Sequence, residues 1–315
     1  MNSDPKPPAK FGENAFFDVS ALFGVPIAAL FVPRLVRTDI TPASITLFSM
    51  LAGFLAAGLI ALGLPWPWRF FPFFFYHMKN VLDSADGALA RARGRMDRLG
   101  RFLDSVTDFL VGLAVFLSMA AAVVVEGGSS LLYLLSLCAF LSSTFSTSYY
   151  VFYTIRFAEA VGAPTASRSD ETPTEEDERE YRDPKTQEAY RFVYALFRIF
   201  YLWQDRLAKK LDDAVFERII HLRSRDGFIS KGRYEIRGYY TDKKLLFLTS
   251  FVGLGCHIFF GSVAILFEWY VSYFLFTIAW SFAWIVILVR LRYRRFLTAP
   301  IYIEELEGEA EGEVA

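Results

Sequence analysis

The chain has 315 residues, of which 54% are hydrophobic, 17% aromatic and only 21% charged, and phenylalanine alone fills 33 positions. Several uninterrupted apolar runs approach 20 residues, the length at which a helix crosses the roughly 30 Å hydrocarbon core of a bilayer, so an ordinary soluble domain is excluded. The formal net charge of −1 hides strong segregation of charge along the chain, and no nucleic-acid partner is expected. Cys138 and Cys256 both lie in apolar runs and read as small buried hydrophobes.

The first ten residues are polar and proline-rich with no short apolar stretch after them, so no signal peptide is expected. Residues 12–37 mix polar and apolar positions interrupted by Pro26 and Pro33, which predicts an amphipathic segment lying along the membrane. A first span is predicted over 41–63, capped by Thr41 with Pro42 at the first helical position. Gly63, Pro65 and Pro67 then make a tight connection, flanked by Trp66 and Trp68 at interface depth. Further spans are predicted at 70–91, 99–125, 131–160, 244–267 and 269–290.

Between the fourth and fifth spans, residues 163–243 form an insert. Its stretch 170–181 is acidic and reads as a solvated loop. From 186 to 225 the pattern turns helical, with an aromatic stripe from Phe192 to Trp203 that suits membrane contact. Residues 298–315 form an acidic tail predicted to be disordered. The fold class is therefore an all-α integral membrane protein: six transmembrane helices preceded by an interfacial helix. The membrane domain covers 12–162 and 244–297. Arg34, Arg37, Arg91, Arg93, Arg95, Arg98, Arg101, Arg290, Arg292, Arg294 and Arg295 all fall on one side of this layout. Positive residues favour the cytoplasm, which places both termini there and suits a bacterial inner membrane.

One short run, DSADGALARARGRMDRLGRFLDSVTD, sets Asp83, Asp86, Asp104 and Asp108 at the edge of apolar segments. Carboxylates beside a bilayer are expensive and need a partner, a metal or an aqueous cavity. At about 100° per helical residue, Asp83, Asp86, Gly87, Ala90 and Arg91 share one broad face, and Gly100, Asp104 and Asp108 line another. A short basic connection joins the two helices antiparallel, so four acids can converge over a floor of small residues. Hard oxygen ligands suit Mg²⁺ or Mn²⁺, and Arg91 offers a planar donor to phosphate oxygen. The competing reading is a salt-bridge cluster in which Asp83 and Asp86 pair with Arg91 and Arg95.

The same run matches, without a gap, the signature D-x2-D-G-x2-A-R-x8-G-x3-D-x3-D at Asp83, Asp86, Gly87, Ala90, Arg91, Gly100, Asp104 and Asp108. In this it resembles the CDP-alcohol phosphotransferase family. That resemblance implies transfer of a phosphoalcohol group from a CDP-linked lipid donor to a small polar alcohol, with release of CMP, in phospholipid synthesis. CDP-diacylglycerol is the implied donor; glycerol 3-phosphate, serine or an inositol phosphate are implied acceptors. Asp83, Asp86 and Asp104 are implied to hold one metal ion, and Asp83, Asp104 and Asp108 a second, with Asp108 the general base. Gly87 and Arg91 are implied to meet the nucleotide or its phosphates, with Thr46, Ala90 and Gly100 in the same binding set. A homodimer is also implied. The chain departs from many relatives at Ala43, where Asn is usual, and at Asp97, where Ser or Thr is usual.

Three other readings use related chemistry. A CDP-aminoalcohol with diacylglycerol as acceptor shares the signature. An intramembrane prenyltransferase predicts two Asp motifs in repeated halves, whereas this chain has one and no repeat. A divalent-cation transporter predicts carboxylates at the membrane midplane rather than at helix ends. His77, His221 and His257 read as structural, His77 with Asn80 lying one or two turns before Asp83.

Overall fold

The computed structural model describes residues 19–94, 96–163, 166–169, 171–223, 233–236, 238–299 and 301–304. Helix α1 (Val19–Leu35) is followed by α2 (Pro42–Ala61), α3 (Phe70–Ala92), α4 (Arg98–Val125) and α5 (Leu131–Ala160). Thr41 stands in extended conformation and accepts a hydrogen bond from the Ser44 N–H, while Pro42 opens α2. This is the predicted cap, satisfying one of the donors a helix start leaves free. Helix α2 packs on both α3 and α4. A Cβ on Gly53 would stand 2.3 Å from a methyl of Val111, so only glycine lets α2 and α4 approach this closely.

Helix α1 corrects one expectation. Over Gly24–Leu35 it is apolar, with Arg34 as its only charge, rather than amphipathic. Its Ala28 and Val32 pack on Ala85, Ala88 and Leu89 of α3 and Ile45 of α2. Residues 12–18 of the predicted segment lie outside the described residues. Arg93 ties the α1–α2 connection to the end of α3 by donating to the carbonyls of Ile40, Leu35 and Thr38 at 2.7, 2.8 and 2.5 Å.

Among the described residues, five helical stretches are long and apolar enough to cross a membrane: Pro42–Ala61, Arg98–Val125, Leu131–Ala160, Lys243–Phe267 and Tyr270–Phe296. Six were expected. The remaining one, α3, forms its full 23-residue helix, but Lys79, Asp83, Asp86 and Arg91 fill its second half, so length and apolarity support five. The stretch Lys243–Phe267 is not one rod. It consists of α9 (Lys243–Thr249), a tight turn over Ser250–Val252 and α10 (Leu254–Phe267), parted by Gly253 in extended backbone. Freed carbonyls need donors inside a bundle. Two indoles of α11 (Tyr270–Phe296) supply them: Trp280 to the Phe251 oxygen at 3.1 Å and Trp284 to the Leu248 oxygen at 2.8 Å. At the end of the bundle remote from the aspartates, Arg69 pairs with Glu268 at 2.7 Å and joins the α2–α3 and α10–α11 connections.

The insert is more ordered than its composition suggests. It contains α6 (Glu175–Glu180), α7 (Pro184–Phe200) and α8 (Leu202–Arg223), so the single helix expected from 186 breaks at Tyr201. An antiparallel pair, β1 (Arg233–Ile236) with β2 (Ile301–Glu304), joins the insert to the start of the tail, a small departure from an all-α chain. Residues 305–315 of the predicted tail lie outside the described residues.

Candidate active site and metal centre

Asp97 explains itself once α4 is built. It stands in extended conformation before the helix, and its carboxylate accepts from the Gly100 N–H at 2.6 Å. The Ser or Thr that the family resemblance leads one to expect there can cap a helix in the same way. A Cβ on Gly100 would sit 3.0 Å from that carboxylate oxygen, so glycine there leaves room for the cap. With α4 started at this point, Asp104 and Asp108 face Asp83 on the antiparallel α3. One carboxylate oxygen from each of Asp83, Asp104 and Asp108 lies within 4.8 Å of the others, and all three residues are half-buried.

Asp86 is the fourth acid of the run and stands apart from that group. It is buried and accepts from the Thr46 hydroxyl on α2 at 2.5 Å; the same hydroxyl lies 3.2 Å from the Pro42 carbonyl. Arg91 folds back over Gly87, whose missing side chain leaves space for it: a Cβ there would lie 3.2 Å from Arg91 Nη1. The buried Nε of Arg91 has no hydrogen-bond partner among the described residues. Ala90 is half-buried on the same turn of α3, and Ala43 is exposed on the first turn of α2.

Lys79 is the residue the motif does not contain. It is 2% exposed, and its ammonium pairs with Asp108 across the helix gap and with Asp83 at 3.4 Å. A buried lysine needs such partners. The clue in the sequence was its spacing, one helical turn before Asp83 in an apolar run. Among the described residues Asp83 pairs with Lys79 and not with an arginine; Arg95 lies outside them. Three gathered carboxylates therefore face one ammonium, and Asp104 keeps a buried Oδ1 with no hydrogen-bond partner among the described residues. That orphaned oxygen and the all-carboxylate donor set fit a hard divalent cation such as Mg²⁺ or Mn²⁺.

The insert closes around the start of α4. Arg98 is buried, pairs with Glu171 at 2.9 Å and Asp177 at 3.4 Å, and lies over the Phe102 ring. Glu171 and Asp177 are themselves buried, which corrects the expectation of a fully solvated acidic loop: the arginine gives these acids a reason to leave water. Burial pushes the Asp177 carboxyl up, but the Thr174 N–H and the Arg98 and Arg168 guanidiniums outweigh it and hold it below the usual carboxylate range. Arg101 donates to Ser167 at 2.7 Å and also to Ser105. Tyr201 sits against this group: burial pushes its phenol well up, the negative charge of Asp108 adding to the effect.

His257 Nε2 bonds the Ser146 hydroxyl at 2.9 Å deep in the bundle, and His77 packs edge-on against Phe73. Cys138 is exposed rather than the buried hydrophobe expected, whereas Cys256 is buried, its thiol donating to the Ser250 carbonyl at 3.7 Å.

The family model for CDP-alcohol phosphatidyltransferases matches residues 39–175, which contain α2 to α5 and every residue of the aspartate group. The chain is also similar to the bifunctional IPC transferase and DIPP synthase of Thermococcus kodakarensis, with 30% identity over 112 residues, 36% of this chain and 24% of that protein. It thus spans about a quarter of the length of that relative.

Proposed function

Through residues 39–175 the chain belongs to the CDP-alcohol phosphatidyltransferase family, and from that premise we propose that it transfers a phosphatidyl group from CDP-diacylglycerol to the hydroxyl of a small polar alcohol, releasing CMP. The observation that carries this reading is the convergence of Asp83, Asp104 and Asp108, each offering a carboxylate oxygen within 4.8 Å of the others. Asp83, Asp104 and Asp108 would hold a divalent cation; the family resemblance implies a second ion and a ligand role for Asp86, which here bonds Thr46. When bound, such ions neutralise a pyrophosphate and stabilise the charge that develops on its leaving phosphate.

The chain's own residues supply the rest. Asp108 accepts the proton of the acceptor hydroxyl. The acceptor oxygen then attacks the phosphorus bearing the diacylglycerol, the bridging phosphorus–oxygen bond breaks, and CMP leaves with the bonding pair. Lys79 fixes Asp108 through Oδ1, leaving the second carboxylate oxygen outside that pair. Gly87, Ala90 and Gly100 keep bulk away from the phosphates, and Arg91 donates to them. Thr46 orients Asp86. In this reading α3 crosses the membrane as a sixth span with its charged half in the polar cavity, and the aspartate end and both termini face the cytoplasm of a bacterial inner membrane. The expectation of a homodimer rests on the family alone.

The test is purified protein in lipid nanodiscs with CDP-diacylglycerol, Mn²⁺ or Mg²⁺ and a panel of acceptors, following CMP and the lipid product. CMP release that needs donor, metal and one acceptor supports the reading. Turnover only with a CDP-aminoalcohol and diacylglycerol reverses donor and acceptor. Ion flux without CMP release removes the enzyme reading altogether.

A further inference from the structure

The two helices after the acidic segment meet at Tyr201 in an elbow with two different sides. Its inner side packs deep in the bundle: Phe200 stacks on Phe109 of α4 at 4.4 Å, and the Gln204 side chain accepts from Ser148 of α5 at 3.0 Å while donating to the Phe200 carbonyl at 2.6 Å. Its outer side exposes Ile199 (65%), Trp203 (43%) and Leu207 (45%), with Arg198, Arg206 and Lys210 exposed beside them.

Two independent rulers set the depth of this elbow. Phe109 lies 16 residues before the far end of α4 at Val125, and Ser148 lies 17 residues after the far start of α5 at Leu131. At about 1.5 Å per residue both positions sit roughly 25 Å along their helices. The hydrocarbon core is about 30 Å thick, so the elbow reaches about 5 Å below the boundary on the aspartate side. Helix tilt takes it deeper. An outward Ile–Trp–Leu ridge at that depth meets acyl chains, an indole suits the headgroup boundary, and cations at this level meet anionic headgroups.

We propose that the α7–α8 elbow is a re-entrant wedge seated in the leaflet on the aspartate side, its ridge in acyl chains and its Arg198, Arg206 and Lys210 on anionic lipid headgroups, so that lipid backs the outer side of the turn whose Phe200 stacks on Phe109 of α4. The inference uses the spanning helices and not the reaction, so it stands or falls apart from CMP release.

The full chain with Cys138→Ala and Cys256→Ala, carrying one nitroxide-labelled cysteine at position 199, 203 or 188, is placed in nanodiscs of phosphatidylcholine and phosphatidylglycerol. Labels at 199 and 203 are expected to favour oxygen over a water-soluble nickel chelate about tenfold more than the label at 188, on the outer turn of α7. Nickel access at 199 and 203 equal to that at 188 overturns the proposal. So does dipolar broadening between labels, which assigns the ridge to a second copy, or exclusion of both reagents, which assigns it to protein. In the second arm, R198Q/R206Q/K210Q is expected to lose most of the motionally restricted spin-labelled phosphatidylglycerol while spin-labelled phosphatidylcholine is unchanged. An unchanged restricted fraction overturns the headgroup half of the proposal.

Discussion

Asp212 and the Asp83–Asp104–Asp108 group are both carboxylates withdrawn from water at the same end of the bundle, and their surroundings are opposite. Asp212, 1% exposed, accepts from the hydroxyls of Tyr153, Tyr239 and Tyr240, the last two at 2.9 and 2.8 Å. Arg292 lies 3.6 Å from the centre of the Tyr153 ring and donates to the Tyr239 carbonyl at 2.8 Å. This centre ties α5, α8 and α11 together and leaves its acid saturated. The aspartate triad has one shared ammonium for three carboxylates and an orphaned oxygen on Asp104. Buried polar groups are ordinarily satisfied. Asp212 is an acid the protein itself satisfies, whereas the triad keeps a carboxylate oxygen without a hydrogen-bond partner among the described residues.

The sharpest way to break this contrast is Asp108→Asn. Turnover should fall about 10²- to 10⁴-fold, the usual contribution of a general base, while donor binding and the thermal midpoint hold; CMP release and a melting curve measure both. Loss of donor binding in step with turnover would make Asp108 a ligand only. The mirror experiment is Asp212→Ala, which removes the acceptor of the two buried hydroxyls of Tyr153 and Tyr239, at roughly 1–3 kcal/mol each before relaxation, and one acceptor of the half-buried Tyr240. We expect a loss of several kcal/mol in thermal stability, with turnover per folded molecule retained.

Lys79→Met tests the counter-charge. With its competitor gone, Mn²⁺ should bind the triad about tenfold more tightly, a change of about 1.4 kcal/mol, and the metal-free protein should melt earlier. Manganese titration followed by electron paramagnetic resonance reads the first, and melting without divalent ions the second. Unchanged affinity would mean that Lys79 leaves the triad free. The smallest effect concerns the latch on α4. Because Asp177 is held below its ordinary value, its contribution is present above about pH 4 and disappears as pH falls through the lower folded value. Pepsin cleavage within 164–183 should therefore rise between pH 5 and pH 3, and Asp177→Asn should raise it already at pH 5.

Much of the site was readable because its period is local. Asp83 and Asp86 share a helix face with Gly87 and Arg91, and Asp104 and Asp108 share another, whatever else the chain does. The long apolar runs, the Thr41–Pro42 start and the helix ends at Val125 and Ala160 follow from solvent and capping rules that act within one element. Lys79 was passed over because a single lysine in an apolar run has no meaning until its partner across the gap is known. The acids at 171 and 177 read as solvent-facing for the same reason: Arg98, some 70 residues earlier, brings them inside. The breaks at Tyr201 and Gly253 escaped because their freed carbonyls are satisfied by Gln204 and by the indoles of α11, none of which announces itself locally.

The amino-acid order thus determined by itself five of the six expected spans, the helical stripe of each aspartate and the kind of ion those stripes suit, since 3.6-residue periodicity and hydrocarbon thickness act on every stretch independently. Tertiary structure decided which three acids gather, that Thr46 draws the fourth to α2, that a lysine sits among them, and that the insert grips the start of α4. Those outcomes depend on charges and hydrogen-bond donors far apart in sequence, whose energies exist only once packing has removed the water between them.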